Sequence, residues 1–180
     1  VEKQKSDLDF KLMALAYKFR DLFLSRKNIV KEVGIKVGFE VLDYGCGPGS
    51  YVVPAAELVG GSGKVYALDI HPLAIQMVQD IASKKRLTNV VTIRSDCVTG
   101  LQNNSLDAIL LYDVFHDLSN QSAVLEELHR VLKSNGILSV SDHHMEENEI
   151  VNSISNGGFF KVSAKGKKTY SFVKKRLDRT

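Results

Sequence analysis

Val41-Leu42-Asp43-Tyr44-Gly45-Cys46-Gly47-Pro48-Gly49-Ser50 is the stretch from which the fold is read. An apolar run with strand character enters a glycine-rich turn, and a helical pattern follows from Tyr51. Glycine suits a place where the chain turns tightly and a ligand must approach the backbone with no Cβ in the way. A dinucleotide fingerprint spaces its glycines G-x-G-x-x-G. Here the third glycine is Gly49 and Ser occupies position 50, so the spacing is G-x-G-x-G. Asp43, two residues before the first glycine, would repel a phosphate but can hydrogen-bond an ammonium group directly or through water. A cationic ligand fits this turn better than a pyrophosphate, and a nicotinamide oxidoreductase is disfavoured.

Outward from the turn, short runs rich in β-branched residues recur at Val41 to Tyr44, Lys64 to Leu68, Val90 to Ile93, Ala108 to Tyr112 and Ile137 to Val140. They read as strands buried on both faces. Helical patterns lie between them at Tyr51 to Leu58, Leu73 to Lys85 and Ser119 to Leu132, with Ser50, His71-Pro72 and Ser119 as start signals. Strand and helix in alternation imply right-handed βαβ units and a doubly wound α/β sheet, mostly parallel. Before this core, Leu8, Leu12, Leu15, Phe19, Leu22, Phe23, Ile29, Val30 and Val33 recur at helical spacing, predicting two helices with a break near Ser25 to Lys27. After it, a helix is predicted from Glu146 to Ser155, ended by Asn156-Gly157-Gly158. Two extended runs follow, Phe159 to Ala164 and Thr169 to Lys174, which make an antiparallel hairpin and bring the strands to seven.

The acidic strand end followed by G-x-G-x-G resembles the first motif of the class I S-adenosylmethionine (SAM)-dependent methyltransferases, small-molecule type, and the resemblance runs from Gly38 to Asp142. It implies a Rossmann-like fold, SAM as cofactor with S-adenosylhomocysteine as product, and methyl transfer to an O, N or C nucleophile. It also implies site residues: Asp43, Gly45, Gly47 and Gly49 around the cofactor, and Asp69 as acceptor of the ribose hydroxyls. Ile70 would pack on the adenine, Asp96 and the backbone N–H of Cys97 would meet the adenine edge, and Asp113 would lie on the methionine side. The predicted organisation is one domain over residues 1–180, with a helical cap at 1–37, the SAM-binding core at 38–145 and a C-terminal helix and hairpin at 146–180.

His116, after the fourth strand, is a candidate general base, since a near-neutral imidazole can take a proton from a hydroxyl or amine. His143 and His144 follow the fifth strand beside Asp142; adjacent residues of a strand point to opposite sides, so no metal site is expected from them. Tyr17, Phe19, Arg20 and Phe23 of the N-terminal helices are candidates to close over the pocket.

The 180 residues, 44% apolar and 25% charged, have ordinary globular composition, with no run long enough for a membrane span and no leader-like N-terminus, from which a cytoplasmic location is expected. Cys46 and Cys97 lack partners at metal-ligand spacing and read as free thiols. Lys161 to Thr180 holds eight Lys/Arg against one acid, leaving 16 basic and 20 acidic residues before it. Such a tail reads first as an edge strand guarded by lysines. The leading expectation is a methyltransferase for a small-molecule acceptor, monomeric or homodimeric, with no nucleic acid partner. Two alternatives are a non-catalytic, partner-activating SAM-binding subunit and a nucleic-acid methyltransferase whose basic tail contacts phosphates.

Overall fold

In the computed structural model residues 6–23 and 26–176 are described, residues 22 and 23 by their backbone alone. Ser25 of the expected break, the side chain of Phe23 and the end of the basic tail fall outside this description. Helices α1 (Asp7–Phe23) and α2 (Arg26–Glu32) precede strand β1 (Glu40–Tyr44) and helix α3 (Val52–Val59). Next come β2 (Lys64–Asp69), α4 (Pro72–Lys84), β3 (Val90–Arg94) and β4 (Leu106–Tyr112), then a single 3₁₀ turn at Phe115–Asp117. The chain continues through α5 (Gln121–Val131), β5 (Leu132–Ser141), α6 (Glu147–Asn156), β6 (Phe160–Lys165) and β7 (Tyr170–Lys174).

The strands form one seven-stranded sheet in the order β3-β2-β1-β4-β5-β7-β6, parallel from β3 to β5 and antiparallel through the closing hairpin. Alternation along each strand sorts side chains to two faces. Leu42, Leu68, Ile109 and Leu111 pack on α5 and α6 through Leu125, Leu128, Ile150 and Ile154. Val41, Val65, Ala108 and Leu110 take the opposite face with Val52, Ala55, Val59 and Val78 of α3 and α4. Full burial of each valine, leucine or isoleucine among them contributes about 1.5–3 kcal/mol, and the two apolar layers fix which way the sheet faces. Chain order reverses between β1 and β4, so the carboxyl ends of these two strands frame the crevice where ligands bind in open α/β sheets.

Several local expectations need correction. The helix starts at Ser50 and Ser119 are not the caps: α3 begins after Tyr51 with no side-chain cap, and α5 is capped by Asn120, whose side chain accepts the Ala123 N–H. His71 does cap α4, its ring nitrogen accepting the Leu73 N–H ahead of Pro72. The fifth strand is longer than Ile137 to Val140. It starts at Leu132 opposite Leu106, then bulges so that Ile137 faces Ala108, which accommodates Lys133 to Gly136 within the strand. Burial on both faces fails at β3, which is only partly covered, whereas β6 is the exposed edge strand that the lysine-rich tail predicts.

The largest surprise is α1. Its leucine stripe marks a helix, but Leu8, Leu12, Leu15 and Phe19 are 60–67% exposed. Phe10, Ala14 and Met13 face inward instead and pack on Ala74, Leu73 and Met77 of α4.

Candidate active site

A cavity of about 750 Å³ opens at the carboxyl ends of the parallel strands. Its floor is the glycine turn. Gly45 and Gly47 have φ of +73° and +50°, a left-handed backbone that glycine adopts at little cost. A Cβ on Gly45 would stand 2.6 Å from Val114 Cγ2, whereas one on Gly47 would meet nothing within 4 Å, because Gly47 borders the cavity itself. Gly49 backs onto Val78 instead, and lines a second groove behind the turn.

Asp69, at the end of β2, lies across this floor. One carboxylate oxygen accepts the Gly47 N–H at 2.9 Å and the other the His71 N–H at 2.8 Å, so the side chain ties the glycine turn to the start of α4. A carboxylate has about four acceptor sites, so two of these contacts leave capacity for a ligand. Burial raises the Asp69 carboxyl, partly offset by those backbone N–H groups. Asp43 lies beneath, 1% exposed and outside the cavity lining, and among the described residues its buried Oδ2 has no hydrogen-bond partner. Burial first, then the charge of Asp69, pushes its carboxyl up to about 7. An orphaned buried acid next to an open glycine turn is the electrostatic complement of a cation.

The rest of the lining comes from several elements. Ile70, Ser95 and Asp96 form one end of the cavity, and Asp113, Val114 and His116 the other. Cys97 does not line it; its N–H donates to the Ser95 hydroxyl at 3.3 Å. From α1, Phe10, Met13, Tyr17 and Arg20 make a wall. Of the expected closing residues, Tyr17 and Arg20 therefore face the cavity, while Phe19 turns to solvent.

At the Asp113 end lies a network the sequence did not reveal. His116 Nδ1 is 2.8 Å from Asp142 Oδ2, an oxygen that also accepts the His116 backbone N–H. Asp142 Oδ1 accepts the His144 N–H at 3.0 Å. Burial alone would raise the Asp142 carboxyl, but the bonds from His116 and His144 bring it below its usual range. A carboxylate there favours a proton on Nδ1, and Nε2 lies 3.5 Å from Asp117 Oδ1. Asp113 has a left-handed φ of +54°, and its carboxylate joins His143 Nδ1 at 2.8 Å and Arg20 at 3.4 Å. The expectation that His143 and His144 point apart is overturned: they sit in a turn beyond β5, their rings 3.9 Å apart, with His144 also 4.3 Å from the His116 ring. Periodicity carries no signal for such pairings, which join residues 26 and 30 positions apart across the parallel strand ends.

A methyltransferase domain family model matches residues 35–175. A demethylmenaquinone methyltransferase of Geobacillus stearothermophilus is 29% identical over 120 residues, covering 66% of this chain and 51% of that protein. Another from Staphylococcus haemolyticus is 25% identical over 114 residues, covering 63% and 47%. The chain spans about half the length of the curated relatives it matches. Among solved structures, a SAM-dependent methyltransferase from Aquifex aeolicus superposes with a TM-score of 0.81 at 26% identity, covering 95% of this chain and 98% of that one. A second, from Methanococcus maripaludis, shares the fold with a TM-score of 0.77 at 14% identity and 99% coverage of both chains.

Proposed function

The chain belongs to the methyltransferase domain family, in its class I SAM-dependent branch, and we propose that it methylates a small-molecule acceptor that must give up a proton, with His116 as the base. The observation that carries this reading is the His116–Asp142 pair at one end of a cavity whose floor is the glycine turn.

The residues present fit SAM. Open space above Gly47 admits a ligand against the backbone, and the orphaned Asp43 oxygen suits an ammonium or sulfonium charge nearby. Asp69 would take the ribose hydroxyls, Ile70 and Asp96 the adenine, and Gly45, Gly47 and Asp113 the methionine side, whereas Gly49, behind the turn, and the Cys97 N–H, bonded to Ser95, lie off the cavity wall. The chemistry that cofactor supplies when bound is an electrophilic methyl group, so the protein needs no covalent nucleophile.

What remains for the chain is positioning and proton management. The wall of α1, closed at Arg20 by its bond to Asp113, limits water access and orients the acceptor. His116 takes the acceptor's proton at Nε2 while Asp142 holds the Nδ1–H and offsets the charge that develops. An O–H or N–H acceptor, or a carbon activated by a neighbouring hydroxyl, uses this arrangement; the cavity suits a small molecule.

Three cations of the basic tail are engaged within the fold. Lys165 pairs with Glu147, and Lys174 and Lys175 bond the Leu132 and Ser155 carbonyls, so these cations hold the hairpin to its neighbours. The test is release of S-adenosylhomocysteine from SAM across a panel of small phenols, amines and hydroxylated aromatics. Turnover on at least one acceptor, reduced about 100-fold by His116→Ala, is expected. Turnover that is unaffected by this substitution would remove the base from the mechanism.

A further inference from the structure

We infer that the outer face of α1 docks on an anionic bilayer surface, an inference that goes beyond the methyl-transfer reading and does not depend on it. The helix has two apolar faces. One, with Phe10 and Met13, packs on α4 and walls the cavity. The other carries Leu8, Leu12 and Leu15, with Phe19 on the same line, spaced four, three and four residues apart and all exposed. A stripe three turns long on the solvent side of a helix needs a cover.

Charge decides which cover. Lys11 and Lys18 flank the stripe, and both line a groove between α1 and the α3–α4 side whose rim also carries Lys84 and Lys85. None of these four lysines is paired with a carboxylate among the described residues. The acids of α1 are directed elsewhere: Asp7 toward His71, Asp9 to Ser6 and Asp21 to Arg20 and Arg26. Three acids share this groove, but Asp21 is held by Arg20 and Arg26 and Glu57 by Lys27, so Lys11, Lys18, Lys84 and Lys85 outnumber the remaining acid, Asp80, which accepts from Gln76. A second copy laid on this stripe would bring up the same excess of lysine rather than a complement to it. A surface of anionic headgroups accepts both features, leucines into the acyl boundary and lysines at the phosphates, the arrangement of interfacial helices. Because the inner face of the same helix walls the cavity, docking would set the cavity mouth beside the lipid surface.

The test is flotation of the 180-residue chain with vesicles of phosphatidylcholine alone and of phosphatidylcholine with about 30% phosphatidylglycerol, at low and high salt. Binding is expected on the anionic vesicles and not on the neutral ones, weakening with salt. Lys11→Gln with Lys18→Gln should lower partitioning roughly 30-fold. Leu12→Ser with Leu15→Ser should abolish it while the helical circular dichroism is kept, since both side chains already face solvent. Failure of the wild type to float with anionic vesicles, or binding that survives the leucine substitutions, would overturn the inference. A wild-type dimer converted to monomer by the leucine substitutions would assign the stripe to a second copy and overturn it equally.

Discussion

The Oδ2 atom of Asp142 holds His116 twice, by the ring Nδ1 at 2.8 Å and by the backbone N–H at 3.1 Å. One buried carboxylate at the end of β5 therefore fixes both the position of the 3₁₀ turn after β4 and the tautomer of the ring it presents to the cavity. Removing the charge separates these roles. A carboxamide cannot accept on both edges, and Oδ1 is needed by the His144 N–H. Asp142→Asn is expected to cost about 2 kcal/mol of stability. It should also shift the neutral His116 ring from the Nδ1–H form toward the Nε2–H form, read from ring ¹⁵N chemical shifts. An unchanged tautomer would show that Asp142 does not set the ring.

Gly45 and Gly47 separate folding from binding. Gly45→Ala puts a methyl 2.6 Å from Val114 at a left-handed φ, so a loss of more than about 2 kcal/mol in denaturant unfolding is expected. Gly47→Ala carries only the left-handed cost of about 1 kcal/mol, but its methyl stands in the cavity. Its SAM affinity should fall further than its stability. Equal SAM binding by the two variants and the wild type would move the ligand away from the turn.

How far the sequence reached is clearest at this turn. Strand, glycines and helix were legible because each is local chemistry: apolar alternation, left-handed backbone and a helix start within ten residues. The parallel core followed because Val41, Val65, Ala108 and their neighbours belong to short apolar runs separated by helices. What escaped was set by contacts distant in sequence. Leu8, Leu12, Leu15 and Phe19 form the better apolar stripe of α1, yet α4 offers Leu73, Ala74 and Met77 to the face that carries Phe10. The Asp142 and His143 partners of His116 and Asp113 depend on β4 and β5 ending side by side, which no periodicity encodes.

Asp43 gives the apoprotein a pH dependence of definite sign. Its folded pKa, about 7, lies above the unfolded value of about 3.9, so the native state holds the proton more tightly. That contribution is present in full below about pH 4 and is lost as pH rises through 7. Asp43→Asn should flatten the fall in melting temperature between pH 5 and pH 8, as measured by calorimetry. Binding of a cation works in the opposite sense: near pH 6.5 the wild type should release a proton on binding SAM, seen as a dependence of the binding heat on buffer ionisation, and the variant should not. Proton release that persists in Asp43→Asn would place the coupling elsewhere.

Glu127 has the opposite linkage. Burial alone would raise its carboxyl, but the hydrogen bonds from Arg130 and Thr99 outweigh burial and bring it down to about 2. The stability it contributes is present above its unfolded pKa near 4.3 and is lost as pH falls toward 2. Glu127→Gln should therefore cost about 2–3 kcal/mol at pH 7 and much less at pH 2.5, measured by urea unfolding. A penalty independent of pH would assign the effect to packing rather than charge.

The most direct measurement is a calorimetric titration of the folded chain with SAM, in parallel with NADH and with the Asp69→Ala variant. Saturable SAM binding in the micromolar range, no heat with NADH, and loss of SAM affinity in Asp69→Ala are expected if the glycine turn and the acid at the end of β2 hold the cofactor. A folded wild type that gives no SAM binding, or an Asp69→Ala variant that binds as tightly as wild type, would contradict the assignment of this cavity as the cofactor site.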